Sequence, residues 1–174
     1  ILAVVRELVR TGLVTRRGAF AKPEDFEVGD YRRDILRYNG TKREALLYSS
    51  GETELLVTQS DVRQVQLAKG AIRSGIEVLL SHGGLTYEDI DKVLIAGQFG
   101  AHLPAESLLQ IGLLPPVTED KLAYAGNSAK SGAVAALLSD EVKEEMEDLA
   151  KHIQYIELGS SDNYERLFAK CLLF

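Results

Sequence analysis

Two glycine-bearing stretches carry the residue types best suited to holding a ligand through the backbone. Gly97-Gln98-Phe99-Gly100 ends the apolar run Val93–Ala96, and Gly126-Asn127-Ser128 ends the run Leu122–Ala125. Glycine lets a main chain come close to a ligand, and the first N–H groups of a helix point outward, toward an anion. In open α/β sheets, ligands bind beyond the carboxyl ends of strands, which is where both stretches fall. A strand ending in a plain turn also accounts for Gly97–Gly100, because short glycine motifs have low specificity. Asn127 and Ser128 could equally serve only to cap the helix that follows.

Other chemistry is missing from the sequence. His82, His102 and His152 are scattered without ligand spacing, and there is no GxSxG, GxxxxGK[ST] or GxGxxG motif. Asp89 and Asp91 precede the central strand and could face a metal-bound phosphate, although helix capping and solvation explain them more simply. Arg16-Arg17 and Arg32-Arg33 read as solvated charge before they read as anion sites. No catalytic residue and no metal ligand is assigned. Cys171, the only cysteine, excludes an internal disulfide and a cysteine-ligated cluster within these residues, and it suits a reducing cytoplasm.

Composition sets the class. The chain has 174 residues, 45% apolar and 26% charged, as in an ordinary globular domain. A net charge of −6 argues against a nucleic-acid or anionic-membrane partner, and no apolar run approaches the roughly 20 residues of a membrane span. Ile1 opens inside an amphipathic pattern, so the chain reads as a piece of a longer one.

The elements that must position the glycines follow from periodicity. Ile1, Val4, Val5, Leu8 and Val9 predict a helix stopped by Gly12. Residues 15–41 lack periodicity and read as irregular. Ala45–Ser49 and Glu54–Thr58 predict a hairpin. Thr58 and Asp61 form a capping box for the longest helix, which buries Val65, Ala68, Ile72, Ile76 and Leu79 and ends at Gly83-Gly84. Its Ala68, Ala71 and Gly75 leave one side small. Thr86–Asp89 offers a second capping box, and Val93–Ala96 reads as a strand buried on both faces. A short helix over Pro104–Gly112, a strand over Leu122–Ala125 and a small-residue helix over Ala129–Leu138 follow. A further helix is expected to bury Val142, Met146, Leu149 and Ile153, then a closing strand over Tyr155–Leu158 and a helix over Asp162–Leu173 capped by Ser160 or Ser161. The whole predicts an α/β fold, a layered mixed sheet flanked by helices, in one domain over 1–174. Within it, 1–44 is an irregular portion with one helix and 45–174 the α/β core.

The order of these phrases resembles the second half of the actin-like ATPases, the superfamily of sugar kinases, actin and heat-shock chaperones. IAGQFG matches the strand and turn that contact adenosine there, and NSAKSGAVAALL resembles the helix at the hinge between lobes. Within that superfamily, TQSDVRQVQLAKGAIRSGIEVLL, DIDKVLIAGQFGAHL, SLLQIGLLP and AGNSAKSGA are similar to the C-terminal region of reductive activators of corrinoid-dependent proteins. They lie in family order between Thr58 and Ala133.

The resemblance implies a mechanism. An ATP-dependent activator, with a [2Fe–2S] domain in a preceding part of the protein, would return an oxidised Co(II) corrinoid protein to Co(I) in methyl transfer. ATP with Mg2+ would be the cofactor, a corrinoid protein the partner, a homodimer the assembly and the cytoplasm the location. Nucleotide contacts would come from Gly97, Gln98, Phe99 and Gly100, and from Gly126, Asn127 and Ser128. Gln66 and Lys69, with Arg73, would turn from the long helix toward adenine and ribose, as in the chaperones. Gln98 stands where the family usually has a second glycine, and would either narrow the approach of a nucleoside or hydrogen-bond to it. The phosphate loops of the superfamily lie upstream, so this piece alone is expected to hydrolyse ATP hardly at all. The alternative class is an interaction module for dimerisation or corrinoid-protein docking, without nucleotide chemistry of its own.

Overall fold

The computed structural model describes residues 1–97 and 100–174. Gln98 and Phe99, both expected in the adenosine turn, lie outside the described residues, as does the side chain of Ala101.

Helix α1 (Leu2–Arg10) buries Val5 and Leu8, and Gly12 at φ +78 turns the chain back. Val14 and Phe20 then meet in a single antiparallel bridge. The region read as irregular also contains α2 (Tyr31–Ile35), whose start is capped by the Asp30 carboxylate accepting from the Arg32 N–H at 2.9 Å. Strand β1 (Leu36–Asn39) follows it directly and adds a third strand to the expected hairpin of β2 (Lys42–Ser50) and β3 (Thr53–Thr58). The three pair antiparallel in the order β1-β2-β3, with a bulge between Leu46 and Tyr48. Val5, Leu8, Leu13, Val14, Phe20 and Leu36 form much of the core with Val57, Val62 and Val65. The first 44 residues therefore supply packing as well as connection, because Val5, Leu8, Leu13, Val14, Phe20 and Leu36 share one buried cluster with Ala45 and Val57 of the hairpin.

Helix α3 (Gln59–His82) begins as its sequence predicts. The Asp61 N–H donates to the Thr58 hydroxyl, and the Thr58 N–H donates to the Asp61 carboxylate at 2.8 Å. Those two bonds satisfy donors that a helix end leaves open. The Thr58 hydroxyl and N–H hold the Asp61 carboxyl below the usual carboxylate range. Asp61→Ala is expected to cost about 1 kcal/mol in a urea titration at pH 7. The wild-type advantage should be full above the ordinary aspartate pKa and vanish as pH falls through the lowered one.

The buried face of α3 differs from the predicted stripe. Val62, Val65, Gln66, Lys69, Gly70, Ser74 and Val78 point inward, whereas Ala68, Ile72 and Leu79 are exposed. Hydropathy alone selects the wrong side here, because the inward polar groups have carbonyl partners waiting for them. Gly70 and Ser74 face α7 (Tyr164–Cys171): a Cβ at Gly70 would lie 2.7 Å from Leu172 Cδ2, and Ser74 Oγ meets Tyr164 Oη at 3.1 Å.

The second sheet contains two parallel strands, β4 (Val93–Ala96) and β5 (Leu122–Gly126), joined through α4 (Ala105–Gln110). The α/β class holds, with antiparallel and parallel pairings in separate sheets. Burial of β4 on both faces is not seen, since Leu94 is 65% exposed. Helix α5 (Ser128–Leu138) follows β5, and α6 (Asp140–His152) packs on α5. Met146, Leu149 and Ile153 stay exposed, against expectation, because α6 contacts chiefly α5 among the described residues. No strand forms over Tyr155–Leu158; Leu158–Ser160 makes a single 3-10 turn instead. Helix α7 starts after Asn163, which takes the left-handed conformation at φ 57, with no serine side-chain cap.

Candidate functional site

The glycine turns meet at the carboxyl ends of β4 and β5. The register runs from Val93 opposite Leu122 to Ala96 opposite Gly126, with a shift between Ile95 and Ala96. The Gly97 N–H then donates to the Gly126 carbonyl at 2.7 Å, so the first turn and the entrance to α5 are joined directly. Gly97 has φ +97 and Gly126 φ +61, and no heavy atom lies within 4 Å of a Cβ built at either. Open space therefore borders both backbones. Gly100 serves packing, as its Cβ would lie 2.6 Å from Ile95 Cγ2.

Asn127 caps α5: its side-chain oxygen accepts from the Lys130 N–H at 3.1 Å, while its carbonyl accepts from the Ser131 N–H at 3.1 Å. Ser128 opens the helix and is exposed. The first N–H groups of the helix have no acceptor within it. A groove of about 520 Å³ runs from Asn127 along Lys130, Ser131 and Val134. Lys130 was not selected from the sequence; its signal was a lysine in the first turn after an Asn cap, where it borders this groove. Tyr124 was likewise read only as strand, yet its hydroxyl donates to the Leu103 carbonyl at 2.5 Å and ties the loop after the glycine turn to β5.

Gln66 and Lys69, expected as adenosine contacts, are bonded within the chain in this structure. The Gln66 side chain, nearly inaccessible, donates to the carbonyls of Arg17 at 3.1 Å and Leu172 at 3.0 Å. The Lys69 ammonium donates to the Cys171 carbonyl at 2.9 Å and also to that of Leu173. Burial pushes its pKa down to about 8, and the nearby Arg73 adds to the shift. Arg73 donates to the Leu114 carbonyl at 2.5 Å and the Tyr87 hydroxyl at 2.8 Å, and pairs with Glu77 at 2.8 Å. The row Gln66-Lys69-Arg73 thus ties three distant segments to one helix. Burial also pushes the Cys171 thiol up.

The Asp89 carboxylate accepts from the N–H and hydroxyl of Thr86, both at 2.8 Å, closing a turn with no helix after it. Among the described residues no cluster of His, Cys, Asp and Glu could hold a metal ion, and no helix is long and apolar enough to cross a membrane.

A parallel strand pair ending in joined glycine turns, within a mixed α/β chain, agrees with an actin-like α/β lobe. The chain belongs to the family described as the C-terminal domain of RACo, the ASKHA domain, whose profile matches residues 1–174. It is 29% identical over 178 residues to the corrinoid activation enzyme RamQ of Eubacterium limosum, covering 100% of this chain and 30% of RamQ. It is 25% identical over 114 residues to the [Co(II) methylated amine-specific corrinoid protein] reductase of Methanosarcina barkeri, covering 64% of this chain and 21% of that protein. A solved structure, a reductive activator for corrinoid, iron-sulfur protein, superposes with a TM-score of 0.82 at 28% identity, covering 99% of this chain and 27% of the other. The chain therefore spans less than a third of the length of these relatives.

Proposed function

We propose that this chain is the nucleotide-binding part of an ATP-dependent reductive activator that returns a Co(II) corrinoid protein to Co(I). The family and the roles of the two relatives support the activator reading. The observation that carries the nucleotide reading is the joined pair Gly97 and Gly126 beneath open space, at the carboxyl ends of parallel strands. Gly97, Gly126 and the α5 start at Asn127 and Ser128 would face the nucleoside side of ATP, with Gly100 seating the turn on β4 and Gln98 and Phe99 completing it. The residues present fit one wall of a site; Mg2+ and phosphate ligands would come from the rest of the longer protein. ATP supplies the work of moving between conformations, and it can do so only through contacts that differ between them. A [2Fe–2S] cluster elsewhere in that protein would pass one electron to cobalt. A homodimer and a cytoplasmic location belong to the same proposal.

The test is calorimetry of Mg-ATP and Mg-ADP binding to the full-length protein and to its Gly126→Val variant. A valine at φ +61 is strained and projects into the open space beside the turn, so affinity should fall roughly 10-fold or more, with a cooperative melt at a modestly lowered melting temperature as the check on folding. No ATP binding by the full-length protein would remove the proposal. The interaction-module reading would then stand, supported by the exposed Leu137, Leu138, Leu149 and Ile153 on α5 and α6.

A further inference from the structure

A cavity of about 490 Å³ opens between α3, α7 and the loop after α4. Arg16, Lys69, Arg73 and Lys170 border it, against one carboxylate, Glu77. Glu77 is already occupied by Arg73 at 2.8 Å and by the Tyr87 hydroxyl. Among the described residues, no Asp or Glu side chain pairs with Arg16, Lys69 or Lys170.

Lys69 is the informative member. It is 2% exposed, and two of its three N–H groups reach the Cys171 and Leu173 carbonyls. Buried charges are ordinarily paired, because their desolvation is otherwise uncompensated. Burial lowers its pKa, and the neighbouring Arg73 adds to the shift. The flank at Gly112 is clear: a Cβ there would lie 3.5 Å from Nζ, and φ +71 favours glycine. Arg16 uses its Nε on the Phe174 carbonyl at 3.1 Å, leaving the rest of its guanidinium for another acceptor.

We propose that this cavity binds a small oxyanion, a phosphate or carboxylate, held by the Lys69 ammonium and the Arg16 guanidinium with Lys170 at its mouth. The site is separate from the glycine turns, none of which lines it. An anion here would neutralise the charge at the junction of α3, α7 and the post-α4 loop, and would couple their packing to its own concentration.

The experiment uses the full-length protein at fixed ionic strength. Inorganic phosphate and acetate are titrated separately by calorimetry, into wild type and into an Arg16→Gln/Lys170→Gln double variant, and ATP binding is measured in both. At least one anion should bind the wild type, with the double variant weaker by about 10-fold or more and ATP affinity unchanged. The stronger of the two anions identifies the ligand class. Equal anion binding by both proteins, or none by the wild type, overturns the proposal. A loss of ATP binding in both proteins would instead strike the nucleotide reading, leaving the anion result to stand by itself.

Discussion

Replacing Lys69 by methionine is expected to destabilise the protein by about 2–4 kcal/mol at pH 7, measured by urea unfolding. The methionine matches much of the volume, but it strands the Cys171 and Leu173 carbonyls, which the ammonium now bonds. Each buried acceptor left unmade costs about 1–3 kcal/mol. Relief of the buried charge offsets part of that loss and sets the pH dependence. In the native protein Lys69 titrates at about 8, below its ordinary 10.5. Between those values the unfolded chain binds more protons, so native stability rises with pH across the window. The wild-type gain should reach about 3 kcal/mol at most by pH 10.5 and be lost as pH falls through 8. Lys69→Met removes that slope, so the gap between the two proteins should widen from pH 8 to 10.5. Parallel curves would show that the ammonium is not desolvated.

Gly18→Ala should be among the most damaging single-methyl additions in the chain, at about 3–5 kcal/mol. Gly18 has φ +84, and a Cβ there would lie 2.4 Å from the Gln66 amide. The left-handed conformation costs roughly 1–2 kcal/mol for alanine. The rest comes from displacing Gln66 from the Arg17 and Leu172 carbonyls, with the Gln59 side chain, which donates to the Gly18 carbonyl at 2.6 Å, held in place beside it. Gly40→Ala is the control, with φ +62 and nothing within 4 Å of its Cβ. It should lose only the conformational part, about 1–2 kcal/mol. Equal midpoints for the two variants would show that Gln66 yields freely.

What the sequence reveals depends on whether the deciding partner is near in the chain. The Thr58–Asp61 box, the hairpin, α4 and α5 were legible because their caps and periods are local. The side of α3 that turns inward was not, since its polar row is justified by carbonyls at Arg17, Leu114 and the last residues of the chain. Tyr155–Leu158 has strand-like residues and no strand to pair with. Leu94 looks like a core residue by its neighbours, but only β5 lies beside its strand among the described residues. In the candidate site, both glycine turns were read as lying beyond the carboxyl ends of strands, and the structure joins Gly97 to Gly126 by one hydrogen bond. The roles of Gln66 and Lys69 came from a superfamily pattern, and in this structure both side chains bond within the chain.

Helix α3 has one more implication. It is 24 residues long, about 36 Å at the standard rise. Its base is anchored beside the antiparallel sheet, and Arg73 grips the segment that follows the glycine loop. Such a strut resists bending, so the segments held by Gln66, Lys69 and Arg73 keep a fixed spacing along its length.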